Sequence, residues 1–237
     1  MEFFELKCKA YLKQDINFKD SFEIISKYIS YTISTSYLKD LHFQNSFKYY
    51  VFSSFYPAVK DGIYKKDLLC EFTLRTLNKE LADVLNNHLR ENINNPFFLV
   101  LSIQTKEVKE FFIEDLYTLT PTIVSISNSK YWTLQSSGDI MLLVKLLHEN
   151  LVKKYNSLYR TNINPTQNFI QRLQILNKTP QTIQITKNGK KIRLFGNKFV
   201  LSPNSDEISQ KLAFLALGAG LGEKNSFGGG FLVIKKD

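Results

Sequence analysis

Histidine, cysteine, methionine and tryptophan are all scarce in this chain of 237 residues, with three, two, two and one copies respectively. Cys8 and Cys70 fall in stretches of strand character with no further cysteine or histidine at ligand spacing, so they read as small buried apolar residues. His42, His88 and His148 are scattered, with no HExxH or CxxC pattern from which a metal site is built. Chemistry here is therefore expected from side chains alone, without metal or cofactor. Long apolar runs are missing too. Phe97–Ile103 and Ile140–Leu147 are among the longest, and a membrane span needs roughly 20 residues. The opening MEFFELKCKAYLK has charges among its apolar positions and lacks the basic start and apolar stretch of a secretory signal. The expectation is a cytoplasmic protein away from the membrane.

Acidic residues are unevenly distributed. Residues 1–120 hold 15 lysines and arginines against 16 acids, whereas residues 121–237 hold 16 against 6, so the net charge of +9 comes from the second half. A basic half of this kind suits nucleic acid, because neutralising phosphates releases counterions and supplies affinity. It also suits solubility or an acidic protein partner.

The first half reads as strand, helix, strand, strand, helix, strand. Phe3–Leu12 has strand character, and Phe22, Ile25, Ile29 and Ile33 recur at helical spacing within Phe18–Tyr37. Lys48–Phe55 and Leu68–Leu77 follow as strands. Asn78 is placed to cap a helix through Leu81, Val84, Leu85 and Leu89, and Phe97–Gln104 closes the set, with Val108–Ile113 as a candidate partner strand. That order, βαββαβ, is the ferredoxin-like arrangement. The second half offers strands at Thr122–Ser127 and Tyr131–Leu134, a helix at Asp139–Tyr155, strands at Phe169–Leu176 and Thr182–Thr186, a helix from Ser205 to Leu217 and a last strand Phe231–Ile234. Asn188-Gly189 between Ile183–Lys187 and Lys191–Phe195 marks a hairpin. Two tandem ferredoxin-like domains of an α+β fold are expected, residues 1–118 and 119–237, argued from element order, since the halves share no sequence repeat.

The most specific stretch is Gly218–Gly230, with six glycines and Lys224 among them. Glycines permit positive φ and close approach, so successive N–H groups here are placed to turn towards a phosphate. A dinucleotide fold is excluded, because these glycines follow a helix and lead into a strand. A P-loop is excluded because no Gly-Lys-Ser/Thr closes the motif. A flexible tight turn is the plainer alternative.

Gly220-Leu-Gly222, five residues, then Gly228-Gly-Gly230 and a terminal strand resembles the glycine-rich signature of the CRISPR repeat-processing endoribonucleases of the RAMP superfamily. Leu41-His42, then Lys48, then Tyr49-Tyr-Val-Phe52-Ser53 is similar to that family's N-terminal pattern, while Gly229 departs from its usual bulkier residue. The resemblance implies two RAMP domains related to the RNA-recognition fold, and metal-independent cleavage of precursor CRISPR RNA within each repeat. In that chemistry a base takes the 2′-hydroxyl proton, the oxygen attacks the adjacent phosphorus, and an acid protonates the departing 5′-oxygen. A 2′,3′-cyclic phosphate and a 5′-hydroxyl result, and DNA resists for want of the 2′-OH.

The resemblance also implies site residues. His42 is the expected acid or base, since an imidazole with a pKa near 6.5 serves in either state at neutral pH; closing the first helix is its structural alternative. Lys48 is expected to neutralise charge on the phosphorane, or else to be a solvated strand end. Tyr28 and Tyr31, one turn apart on the first helix, are read as sharing the face towards His42, with packing as the ordinary role of each. Gly220, Gly222, Lys224, Gly228 and Gly230 are expected to contact RNA, with the hairpin residues Lys187, Lys190, Lys191 and Arg193, which otherwise form a solvated turn. His88 and His148 read as core-edge residues. The expected partners are precursor and mature repeat RNA, with other CRISPR effector-complex proteins as possible additional partners. A non-catalytic RNA-binding RAMP subunit is the competing reading. An ordinary RNA-recognition module lacks support, since its aromatic-rich signature is absent.

Overall fold

Residues 1–40, 46–127 and 130–234 are described by the computed structural model. The first half runs β1 (Glu2–Leu12), β2 (Ile16–Asn17), α1 (Phe18–Ser34), β3 (Tyr50–Phe52), β4 (Ile63–Tyr64), β5 (Leu69–Thr76), α2 (Lys79–His88) and β6 (Phe98–Lys109). The second half runs β7 (Leu116–Thr118), β8 (Thr122–Ile123), β9 (Ser125–Ser127), β10 (Lys130–Tyr131), α3 (Ile140–Tyr159), β11 (Ile170–Ile175), β12 (Gln181–Lys187), β13 (Lys190–Asn197), β14 (Phe199–Pro203), α4 (Glu207–Ala219) and β15 (Leu232–Ile234). Helices α1 to α4 each start on an Asn or Asp side chain that accepts a first-turn N–H: Asn17, Asn78, Asp139 and Asp206. Such caps satisfy donors that the helix itself leaves open.

The first sheet has the order β3-β5-β1-β6, all antiparallel, with α1 and α2 as its crossovers. Counted within the domain this is second, third, first, fourth, the ferredoxin-like order. The second sheet, β11-β14-β7-β15, repeats that order with α3 and α4 as crossovers. Tandem ferredoxin-like domains are therefore the fold.

Three details differ from the sequence reading. Leu116–Thr118, expected in the first domain, pairs only within the second sheet, so the division falls before residue 116. Phe199–Pro203 supplies the third strand of the second domain, and Thr182–Thr186 does not. Phe98–Lys109 is one continuous strand along β1, so Val108 pairs with Phe3 and not with a neighbouring hairpin arm.

The β12–β13 hairpin is an insertion between the second and third strands, and it joins β8 in a separate small sheet. It packs across the domain division. Ile183, Ile185 and Leu194 belong to the core of the first domain, while Phe3 of β1 enters the core of the second, with its ring 5.1 Å from Phe214. The two cores thus interlock. Cys8 and Cys70 are buried on adjacent strands of the first, as expected of small apolar residues.

Arg75 of β5 joins the domains through polar contacts. Its guanidinium pairs with Glu5 at 2.7 Å and donates to the carbonyls of Leu217 at 3.3 Å and Leu232 at 2.6 Å. The rings of Phe3 and Phe231 lie 5.5 and 4.6 Å from it. We expect Arg75→Ala to cost about 3–5 kcal/mol in urea unfolding, because two buried carbonyls and the half-buried Glu5 are left without their partner. A loss below about 1 kcal/mol would assign domain cohesion to the apolar contacts alone.

Candidate RNA-processing site

The segment Gly220–Gly230 forms a folded loop between α4 and β15. Its glycines answer to packing. Gly220, Gly222, Gly228 and Gly230 all have φ between 68° and 88°. A Cβ at Gly222 would lie 2.6 Å from the Ile123 carbonyl oxygen, and one at Gly228 would lie 2.6 Å from the ring of Phe22. At Gly220 the space is filled by Asn225, and at Gly230 by the carbonyl of Leu221. The expectation that these N–H groups turn to a phosphate needs correction: those of Gly220, Gly228 and Gly230 donate to the carbonyls of Ala216, Asn225 and Pro121.

Asn225 stands inside the loop, donating to the carbonyls of Leu221 and Gly229 at 3.2 and 2.8 Å. Lys154 of α3 completes the arrangement. Its Nζ donates to Gly220 O at 2.9 Å, Gly222 O at 2.7 Å and Asn225 Oδ1 at 2.8 Å. All three partners are uncharged. Burial pulls the ammonium down from its ordinary 10.5 to about 7, against the opposing pull of the Glu223 carboxylate. Glu223 is itself fixed by the N–H and hydroxyl of Ser125. Sequence reasoning missed Lys154, although one signal was present. Leu143, Leu147, Leu151 and Lys154 continue a single buried stripe of α3, where a lysine is out of place.

A cleft of about 600 Å³ opens beside this loop, lined by Phe47, Lys48, Tyr49, Lys154, Lys224 and Asn225 among others. Lys48 and Tyr49 of the N-terminal pattern meet the glycine-rich stretch here, and Val51 and Phe52 lie against the space left open at Gly220 and Gly228. Lys48 is half-buried, which lowers its pKa by desolvation. Lys224 is exposed, in a left-handed conformation with φ 59°. Asn150 also borders the cleft, and its Oδ1 is buried with no hydrogen-bond partner among the described residues.

His42 lies outside the described residues. The two tyrosines do not share a face as expected. Tyr28 is fully buried: its hydroxyl donates to Leu89 O at 2.7 Å, its ring stacks on Phe98, and burial raises its pKa to about 12. Tyr31 is 55% exposed. Three residues on a helix leave an offset of about 60°, enough here to carry Tyr31 from the core to its rim.

Lys187, Lys190, Lys191 and Arg193 are all exposed on the hairpin, whose turn has positive φ at both Asn188 and Gly189. The hairpin is fixed to α1. Gln184 donates to Asp20 at 3.0 Å, Thr186 to Glu23 at 3.0 and 3.1 Å, and Lys191 lies 3.7 Å from Asp20. Farther along α1, Ser26 donates to Ser226 O of the glycine-rich loop at 2.9 Å. One helix therefore carries both candidate RNA-contacting elements. His88 pairs with Glu91, and His148 accepts from the Phe169 N–H, as residues at the edge of a core do. Among the described residues no three His, Cys, Asp or Glu side chains are grouped to hold a metal ion. No described helix is long and apolar enough to cross a membrane.

Residues 103–234 match the family model for the CRISPR associated protein Cas6, C-terminal. Over 96% of its length the chain is 27% identical to the CRISPR-associated endoribonuclease Cas6 2 of Methanocaldococcus jannaschii, of which it covers 98%. A solved structure described as CRISPR associated protein Cas6 superposes with a TM-score of 0.71 at 20% identity, covering 99% of this chain and all of the other. One of a RAMP protein binding different RNA substrates gives 0.70 at 17% identity, with 98% and 100% covered.

Two outcomes test the geometry. Gly189→Ala, at φ +73° in open space, should cost about 1–2 kcal/mol of stability, whereas Gly230→Ala should cost more, because a carbonyl must also move. Equal losses in urea unfolding would mean that the loop yields freely. For Lys154, the unfolded chain holds a proton up to its ordinary 10.5 and the folded chain only to about 7. Unfolding between those values takes up a proton, so rising pH should stabilise the parent relative to Lys154→Met across that window. A flat difference would show that the lysine titrates alike in both states.

Proposed function

The chain belongs to the CRISPR-associated Cas6 family, and from that premise we propose that it is an endoribonuclease that cuts precursor CRISPR RNA within its repeats. The observation that carries this reading is the shared cleft. Lys48 from one half and the Gly220–Gly230 loop, with its exposed Lys224, from the other border a single space, whose lining also includes the rings of Phe47, Tyr49 and Phe227. A phosphate backbone is the ligand such a space suits.

The reaction needs three acts. The 2′-hydroxyl loses its proton as its oxygen attacks phosphorus, negative charge builds on the non-bridging oxygens, and the 5′-oxygen gains a proton as its bond to phosphorus breaks. His42 serves as the acid or base. Lys48 stabilises the developing charge, and the half-dry position that lowers its pKa strengthens that interaction. Tyr31, with its exposed ring, is the tyrosine available to assist; Tyr28 is held in the core. The glycines act by shaping the wall of the cleft, and Lys187, Lys190 and Arg193 with Lys191 bind the flanking RNA backbone from the hairpin. No metal is required for these steps.

The test is incubation in EDTA with the CRISPR repeat RNA of the source genome and with a copy carrying a 2′-deoxy nucleotide upstream of the cut. One cut in the first, ending in a 2′,3′-cyclic phosphate, and none in the second is the expected result. Binding without any cut would make the protein a non-catalytic RNA-binding subunit instead. His42→Ala should slow cleavage by about 10²–10⁴-fold and leave RNA affinity within a few-fold. A rate close to the parent's would return His42 to a structural role.

A further inference from the structure

Lys154 has no place in the reaction just described, yet it is the most unusual ionisable group beside the cleft. It is 3% exposed, and its ammonium uses all three N–H bonds on the inner side of the glycine-rich loop. Gly220 and Gly222 are held by their carbonyls and Asn225 by its side chain, so these three contacts set where the wall formed by residues 222–227 stands relative to Lys48. A fold that needed only to close this space would do so with an apolar side chain, since burying a charge against neutral partners is costly.

We propose that Lys154 is a positioning residue for RNA, whose ammonium ion locks the glycine-rich loop in its RNA-receiving shape and adds a fixed positive charge behind it. This inference rests on the endoribonuclease reading and names a residue that reading does not use. The groups facing Lys154 are the Glu223 carboxylate on the loop and, at the entry to β3, Lys48, the Phe47 ring 6.0 Å away and Tyr49, whose hydroxyl donates to the Lys154 carbonyl. Loss of the proton leaves two N–H donors for three acceptors and removes the charge, while it relieves the burial of an ion. Stability and RNA affinity therefore respond to pH in opposite directions. A purely structural lysine would move both together.

The experiment measures binding of a fluorescein-labelled repeat RNA, carrying the 2′-deoxy block, by anisotropy from pH 6.5 to 8.5, alongside urea unfolding. Lys154→Met is expected to fold and to bind about tenfold more weakly at pH 6.5, with the gap to the parent closing as pH rises. Should that variant not fold, the parent alone suffices. The ¹³Cε resonance of Lys154 should titrate at higher pH in the RNA complex than in the free protein, because bound phosphates favour the ammonium. Equal affinities for parent and variant, or one titration curve with and without RNA, would overturn the proposal. A parent that neither binds nor cuts the repeat overturns the endoribonuclease reading and this inference with it; a parent that cuts beside a variant indistinguishable from it overturns the inference alone.

Discussion

One guanidinium closes the base of the loop on which the site depends. Leu217 lies in the last turn of α4 and Leu232 opens β15, and Arg75 donates to the carbonyl of each, so both stems of the glycine-rich excursion are fixed to the sheet of the other domain. Glu5 balances the charge, and two phenylalanine rings shield it from water. In such a setting each hydrogen bond is strong because no solvent competes. Between the stems, Asn225 and Lys154 fix the middle of the loop. The wall of the cleft is thus set by polar contacts at its root and its centre, and the glycines permit the close approach those contacts need.

α1 is the second organiser. Its buried face builds the first core, while Asp20 and Glu23 receive the inserted hairpin and Ser26 meets the loop. An acidic first turn opposite a basic hairpin supplies complementary charge as well as hydrogen bonds. The lysines left at the hairpin's exposed surface therefore stand at a defined distance from the cleft, although they belong to a strand pair outside both main sheets.

How much of this was legible in the sequence depended on the range of the contacts. Local signals were reliable: the cap at Asn78, the spacing of Phe22, Ile25, Ile29 and Ile33, and the Asn188-Gly189 turn all have local counterparts in the structure. The first sheet followed from them. The short strands β7 and β14 did not, because three to five residues carry no periodicity of their own and gain strand geometry from partners far along the chain. The glycine-rich stretch stood out by composition, but the reason for its glycines lies in Ile123, Phe22 and Asn225, which approach it in space. Tyr28 and Tyr31 were separated by the about 60° between positions three apart on a helix, with the buried face of α1 ending between them. Lys154 was hidden by distance, since nothing near it in sequence shows that the partners of its ammonium lie 66 to 71 residues away.

Two of the three acceptors of Arg75, and two of the three acceptors of Lys154, are main-chain oxygens. A peptide carbonyl is present whatever side chain a codon specifies, so drift at positions 217 and 232 leaves the acceptors in place as long as the backbone keeps its path. The donors have no such insurance, because each is a single side chain. Mutational sensitivity is therefore lopsided at the root of the loop: comparison of distant relatives should find tolerance at positions 217 and 232 and constancy at Arg75, whereas Gly220 and Gly222, which accept from Lys154, are held by packing as well.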